Sequence, residues 1–507
     1  MKKRLGPGHL KTLECASLNA LLLALNSQTR AAETACIATH EAMTTELGPE
    51  HPYTLEAMGH LVQIYQMQSR FLEAVDTANS LAKIVSSAPT ETRPQILHSR
   101  CIRAESELKM GNYATAELEL GDVTKVAQAS FKDNRLENLH YQSTLALAYN
   151  HCAKNEQAED LAGRVLRKQL KIYTTRHGHG ERGFNEEKVA EEDMTSQIAM
   201  IINIASLEPL HSIIEKLIDQ GFILTLRPPV LETLWVIALI LQQKEDPASL
   251  ELAIRLLQAL WDRFVQGGQV ESQDALRVRY DLALAIRRKA EAETSHENGD
   301  KRLGESAEHL RNVYRSRSQV LGHENPETLS ARLELIITNC TLGRWEEMLS
   351  LAEVSEREKL EKSPEQVDFF SSSSLDQKSW TLVQSESRKI ADLHEAKLGE
   401  NHPETLKSLL WVLAVQALLG DIATATKTSE KILRRLKMVR TQRLVESIHL
   451  ERKLALVVVV FDRHWADIIL RGTRETIQEK RDFMPETWQM LDKMINGELS
   501  RLEHMSR

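Results

Sequence analysis

Small and apolar residues return along this chain at a long, regular interval. Alanines at Ala32, Ala74, Ala116 and Ala158 are separated by three equal steps of 42 residues. In two of these stretches a tyrosine stands nine residues before the alanine, Tyr65 before Ala74 and Tyr149 before Ala158. A leucine stands four residues before each tyrosine, at Leu61 and Leu145. A small side chain at a fixed point of the interval lets two helices approach closely, while the leucine and tyrosine fill the space around them. The pattern predicts one helix pair per interval, stacked in sequence.

A second, polar phrase marks where one pair hands over to the next. It reads Leu47-Gly48-Pro49-Glu50-His51-Pro52-Tyr53-Thr54-Leu55, then Leu321-Gly322-His323-Glu324-Asn325-Pro326-Glu327-Thr328-Leu329. A third copy runs from Leu398-Gly399 through His402-Pro403 to Thr405-Leu406, and a fainter one opens the chain at Leu5-Gly6, with Leu10 in place of the proline. Glycine can adopt the left-handed backbone that ends a helix. Proline fits the first turn of the next helix, where its missing N–H costs nothing. The residue before it (His51, Asn325, His402) is pushed out of helical geometry and is placed to cap.

The spacing Leu-x3-Tyr-x8-Ala-x3-Ala, met at Leu61, Tyr65, Ala74 and Ala78 and again at Leu145, Tyr149, Ala158 and Ala162, resembles the tetratricopeptide core. The 42-residue period and its Gly–Pro junction resemble the longer repeat of kinesin light chains, and the related arrays of fungal nucleotide-binding receptors. The resemblance implies an all-α fold, a right-handed superhelix (α–α solenoid) of about ten TPR-like helix pairs. It implies that the first helix of each pair lines a concave groove for a protein or peptide partner. Carried onto the clear units, that groove would present Gln63, His98, Glu105, His140, Ser143 and Asn150. The asparagines with which kinesin light chains hold cargo are replaced here by Gly59-His60, Ser143-Thr144, Leu333-Glu334 and Leu410-Trp411. The motor-adaptor role is therefore not implied.

Read along the chain, residues 1–172 form a first TPR-like array and 173–195 an inserted loop. Residues 196–265 form a divergent helical segment in which Leu231 to Leu241 should be buried. A second array spans 266–475, with a degenerate unit near 363–397, and 476–507 is a C-terminal capping helix. Ala307, Met348, Ala425 and Ala466 continue the small-residue position, and Leu454 to Phe461 is expected to be a buried helix despite its four valines. The opening on a junction leaves two readings, a natural start or a segment of a longer protein.

Composition narrows the function classes. With 507 residues the chain exceeds one ordinary core. Only 21 glycines, 13 prolines and 5% aromatics favour long helices over an all-β fold. A net charge of -8 spread over this length argues against nucleic-acid binding. The five cysteines form no CxxC pair and read as reduced thiols of a cytoplasmic, or alternatively nuclear, protein. No apolar run is long enough to span a membrane.

No HExxH, GxSxG or GxxxxGK[ST] motif occurs, so no catalytic residue, cofactor or enzyme activity is expected. His177 and His179 sit in a Gly-rich stretch and read as solvent-exposed, so no metal is expected. The run Arg434, Arg435, Lys437, Arg440 and Arg443 reads as cations at a helix C-terminus. The expectation is a protein–protein interaction scaffold. Its alternatives are the sensor array of a larger nucleotide-binding receptor, an accessory protein of a biosynthetic or transcription complex, or an enzyme with a site in the divergent middle.

Overall fold

The structure, a computed structural model, describes Gly6 and residues 8–25, 28–86, 94–130, 136–177, 209–292, 296–344, 377–440, 444–480 and 492–500, apart from 153, 245, 343 and 494. It forms two compact units, Met1–Thr294 and Ser295–Arg507. Among the described residues there are nineteen α-helices with defined bounds, one 3-10 helix, a short helical stretch near the end and no strand.

In the first unit α1 (Leu10–Leu25) pairs with α2 (Thr29–Leu47), and α3 (Pro52–Met67) with α4 (Phe71–Ser86). Then α5 (Pro94–Lys109) pairs with α6 (Tyr113–Ser130), and α7 (Leu136–His151) with α8 (Asn155–His177). Helix α9 (Leu210–Asp219) and the 3-10 helix Phe222–Thr225 precede a further pair, α10 (Pro228–Gln243) and α11 (Pro247–Gln266), and α12 (Gln273–Ala292) closes the unit. Helix α10 packs on both α7 and α8, taking the place that the next pair's first helix would take. Leu234, Val236, Ile237, Ile240 and Leu241 of the apolar stretch are buried there.

The second unit holds α13 (His296–Val320), α14 (Pro326–Thr341), α15 (Gln377–Leu398), α16 (Pro403–Leu418), α17 (Ile422–Val439), α18 (Leu444–Val458) and α19 (Arg463–Lys480). A last helical stretch covers 495–500. The valine-rich run is helix as far as Val458 and turns from Val459 to Phe461. Residues 173–177 prolong α8, and 377–397 of the degenerate unit form most of α15. His179, Met348 and the Ser371–Ser374 loop lie outside the described residues, as does most of the stretch 173–195.

The 42-residue register is a register of contact. Ala32, Ala74, Ala116 and Ala158 are all fully buried, and so are Ala307, Ala425 and Ala466. With no side chain beyond Cβ, each lets its helix lie close against the neighbouring pair. The residue after the alanine is often an acid that bridges to the next pair. Glu33 meets Arg70 at 2.7 Å, Glu117 meets Lys154 at 2.5 Å, and Glu159 meets Lys244 at 2.5 Å. The Arg70 guanidinium also lies over the Tyr65 ring at 4.6 Å, which ties the recurring tyrosine to the same contact.

The junctions are built alike. Gly48, Gly322 and Gly399 stand at φ of 91°, 92° and 92°. At Gly48 the ψ is 159°, so the glycine does not take the left-handed helical conformation expected from the sequence. It takes an extended backbone at positive φ, a region essentially closed to residues with a Cβ. The cap is the residue before proline, as expected. His51 Nδ1 accepts from Tyr53 N at 3.3 Å, Asn325 Oδ1 from Glu327 N at 2.9 Å, and His402 Nδ1 from Glu404 N at 3.2 Å. The junction threonine then donates back to the glycine carbonyl, Thr54 to Gly48 and Thr405 to Gly399, each at 2.9 Å. The turns inside a pair differ: Gly111 and Gly420 have φ of 75° and 74°, and Ser69 takes the matching place at 58°.

Candidate functional site

In the first unit the successive first helices α1, α3, α5, α7 and α10 pack on one another, whereas successive second helices do not to a comparable extent. The first helices therefore form the inner face. Near its far end Gln273 Nε2 donates to the Met67 carbonyl at 2.8 Å, so the start of α12 reaches back to the end of α3.

The fifth residue of each first helix forms a column on that face. Glu14, Glu56, His98 and His140 follow at successive steps of 42 residues, and Glu232 holds the same place on α10. Neighbours in the column sense one another. Burial, and then Glu14, push the Glu56 carboxyl upward. His140 Nδ1 lies 3.5 Å from Glu232 Oε2. Its other nitrogen, Nε2, is 3.1 Å from Glu105 Oε1 on α5.

Around Glu105 the donors converge. Cys101 Sγ donates to Glu105 Oε1 at 3.7 Å. The Thr144 hydroxyl is shared between that oxygen at 3.5 Å and the His140 carbonyl at 3.1 Å. Residues 101 and 105 are one helical turn apart and so share a face. The α5–α7 contact brings His140 to them. Glu105 and His140 keep 26% and 32% of their side-chain surface, whereas Cys101 is fully buried. The cluster thus opens toward the inner face and closes toward the core.

The electrostatics follow from that placement. Burial alone would lower the His140 pKa, but hydrogen bonds with Cys101, Glu105 and Glu232 outweigh it and hold the ring well above the ordinary histidine value. Burial opposes ionisation of Glu105, yet His140 keeps its carboxyl below the ordinary range. His98, flanked by both, is pushed down chiefly by burial. Burial raises the Cys101 thiol to about 12. The centre of this face is an imidazole, His140, set between two acidic side chains that favour its protonated form, with a second imidazole, His98, whose protonated form burial disfavours.

Of the six residues read from the sequence, His98, Glu105 and His140 come together here. Gln63 is half-buried on α3. Ser143 and Asn150 are buried. The Ser143 hydroxyl lies 3.3 Å from Thr233 Oγ1 on α10, so it serves the packing of two helices. The sequence reading missed Glu14, Glu56, Cys101 and Glu232. The 42-residue step from His98 and His140 back to Glu56 and Glu14 was a visible signal; for Glu232, 92 residues beyond His140, there was none.

The corresponding positions of the second unit carry different chemistry. Ser330 and Lys407 are the fifth residues of α14 and α16, and both engage Glu404, at 2.9 and 2.8 Å. The basic run does not form a continuous patch. Arg435 is buried and paired with Glu395 at 2.6 Å and Glu400 at 3.3 Å, and Arg440 pairs with Glu451 at 2.5 Å. Arg434 and Lys437 are exposed, and Arg443 lies outside the described residues.

No family model matches the chain, and no curated protein matches it. Solved structures do. A kinesin light chain TPR-like repeat protein of Podosopora anserina is similar at 17% identity and a TM-score of 0.24, over 60% of this chain and 93% of that one. A Rap protein, solved with competence and sporulation factor, is similar at 12% identity and a TM-score of 0.42, over 88% and 97%. A human IFIT1 dimer with PPP-AAAA is similar at 12% identity and a TM-score of 0.31, over 92% and 90%. At these scores the likenesses carry no inference about ligand or partner. The chain shares with them its fold class, that of tetratricopeptide-like helical repeats.

Proposed function

We propose that this chain is a non-enzymatic protein–protein interaction scaffold that holds an extended partner segment along the inner face of its first unit. The observation that carries the reading is the column of ionisable side chains on successive first helices, repeated in step with the fold. Such a column offers a partner backbone and its side chains one polar contact per helix pair. Gln63, His98, Glu105 and His140 are the contacts, and Ser143 and Asn150 shape the helices that present them. Glu14, Glu56, Glu105 and Glu232 outnumber the one ring held toward its charged form, His140, so the face suits a basic segment. The five cysteines are all free thiols, which fits a reducing compartment, cytoplasm or nucleus. Among the described residues no helix is long and apolar enough to cross a membrane.

The test is quantitative co-purification of the tagged chain from its own cells, beside a His98→Ala/Glu105→Gln double variant that melts like the parent. Loss of one partner with the variant, followed by direct binding of a basic peptide from it, supports the reading. A partner retained at parental affinity by the variant refutes the inner-face assignment.

A further inference from the structure

The cluster at Cys101, Glu105 and His140 has the composition of a ligand set. We propose that these three side chains bind one divalent transition-metal ion of the zinc class, in the inner face of the first unit. The inference does not rest on the scaffold reading, although Glu105 and His140 figure in both, and its test needs the chain alone.

Geometry is the first argument. The three donor atoms, Sγ, a carboxylate oxygen and an imidazole nitrogen, all lie within 4.8 Å of one another. A tetrahedral ion with bonds of about 2.0–2.3 Å requires its donors to stand about 3.3–3.6 Å apart. The Glu105–His140 distance of 3.1 Å and the Cys101–Glu105 distance of 3.7 Å straddle that range. The remaining pair, Cys101 and His140, lies within 4.8 Å.

The donor types are the second argument. Sulfur and imidazole select zinc-like ions over calcium or magnesium, which prefer oxygen alone. On binding, the ion displaces the Cys101 thiol proton and the extra proton of the His140 ring to solvent, and the Cys101 thiolate and Glu105 carboxylate then neutralise the dication.

The outer shell is the third argument. A metal-bound histidine ordinarily donates its other ring N–H to a carboxylate, and Glu232 stands 3.5 Å from His140 Nδ1. The Thr144 hydroxyl supports Glu105 in the same way. Cys101 anchors the site from the core side, while the two half-exposed ligands leave a fourth position on the groove side. His98 lies one helical turn before Cys101 on the same helix. A groove-side vacancy in the ligand sphere would take water, or a side chain of whatever lies in the groove.

Cobalt(II) is the probe. The full chain is stripped of metal under a non-thiol reductant and titrated with Co2+, then with Zn2+. The expected result is one saturable Co2+ per chain, with visible d–d bands and a thiolate charge-transfer band, both removed by Zn2+. Cys101→Ser should abolish the charge-transfer band, and Glu232→Gln should weaken binding about ten-fold. Cys340→Ser, a thiol in the other unit, should change neither. If Cys101→Ser does not fold, His140→Gln carries the test through loss of stoichiometric binding. Absence of a saturable band in the parent chain, or a band that survives Cys101→Ser, overturns the proposal.

Discussion

Acid is a sharp probe of the first unit because His60 is buried as a neutral ring. It lies on α3 with Nδ1 2.8 Å from the Ser17 hydroxyl of α1. Burial, and then the neighbouring His98, lower its pKa from 6.5 to about 4. The folded value lies below the unfolded one, so protons bind the unfolded chain first. The stability held by the neutral ring is whole above about pH 6.5, and it is lost as pH falls from there toward 4. At about 1.36 kcal/mol per pH unit the full loss is about 3 kcal/mol, most of it spent by about pH 4.5. Hydrogen exchange followed by mass spectrometry reads the opening of α1 and α3 directly, at a series of pH values corrected for intrinsic exchange. His60→Asn keeps a hydrogen-bonding partner for Ser17 and cannot titrate. Its own cost does not matter, because the quantity read is the slope of stability with pH. The variant should lose about 2–3 kcal/mol less than the parent between about pH 7 and about pH 4.5. Equal slopes in the two proteins would refute the assignment of the acid sensitivity to His60.

Three further outcomes follow from the packing. Arg332 and Glu386 form an ion pair with only 9% and 2% of their side chains exposed; Glu386→Gln should cost about 3–5 kcal/mol in urea unfolding of the second unit, whereas replacing both by leucine should cost far less. Ser69 holds a left-handed conformation at φ 58°, so Ser69→Gly should stabilise the chain by about 0.5 kcal/mol in melting relative to Ser69→Ala, which keeps the strained Cβ. Burial pushes the thiols of Cys36, Cys101, Cys152 and Cys340 up to about 12, while Cys15 is exposed. A disulfide reagent at neutral pH should therefore modify Cys15 first in the native chain, and mass spectrometry showing rapid labelling of Cys101 would contradict the burial described.

What could be read from the sequence was what single residues dictate. An alanine at a recurring helix contact, a glycine at positive φ and a histidine or asparagine before proline are local requirements, and Ala74, Gly399 and His402 announce them without help from the rest of the chain. The glycine's ψ escaped because an extended and a left-handed helical glycine leave the same letter. The candidate site was only half legible. His98, Glu105 and His140 were found because the repeat phase places them on the first helices. Ser143 and Asn150 share those helices but are turned toward neighbours, and a phase argument does not fix the rotation of a helix that closely. Cys101 looked like one more packed thiol, and Glu232 joins His140 only because α10 takes up the stack after a stretch that breaks the period.

The Gly–cap corners close their hydrogen bonds within their own few residues, from Gly48 to Thr54 and from Gly399 to Thr405. A coding segment cut between two such corners therefore carries its own hinges wherever it is copied. Duplicating one whole interval would lengthen the column of Glu14, Glu56, His98 and His140 by a rung and leave the others in line. A single residue inserted within a helix would instead swing all that follows by about 100°. The groove is in this sense heritable in units: its length can change by recombination, and its chemistry by exchanging the one side chain at the fifth position of each first helix.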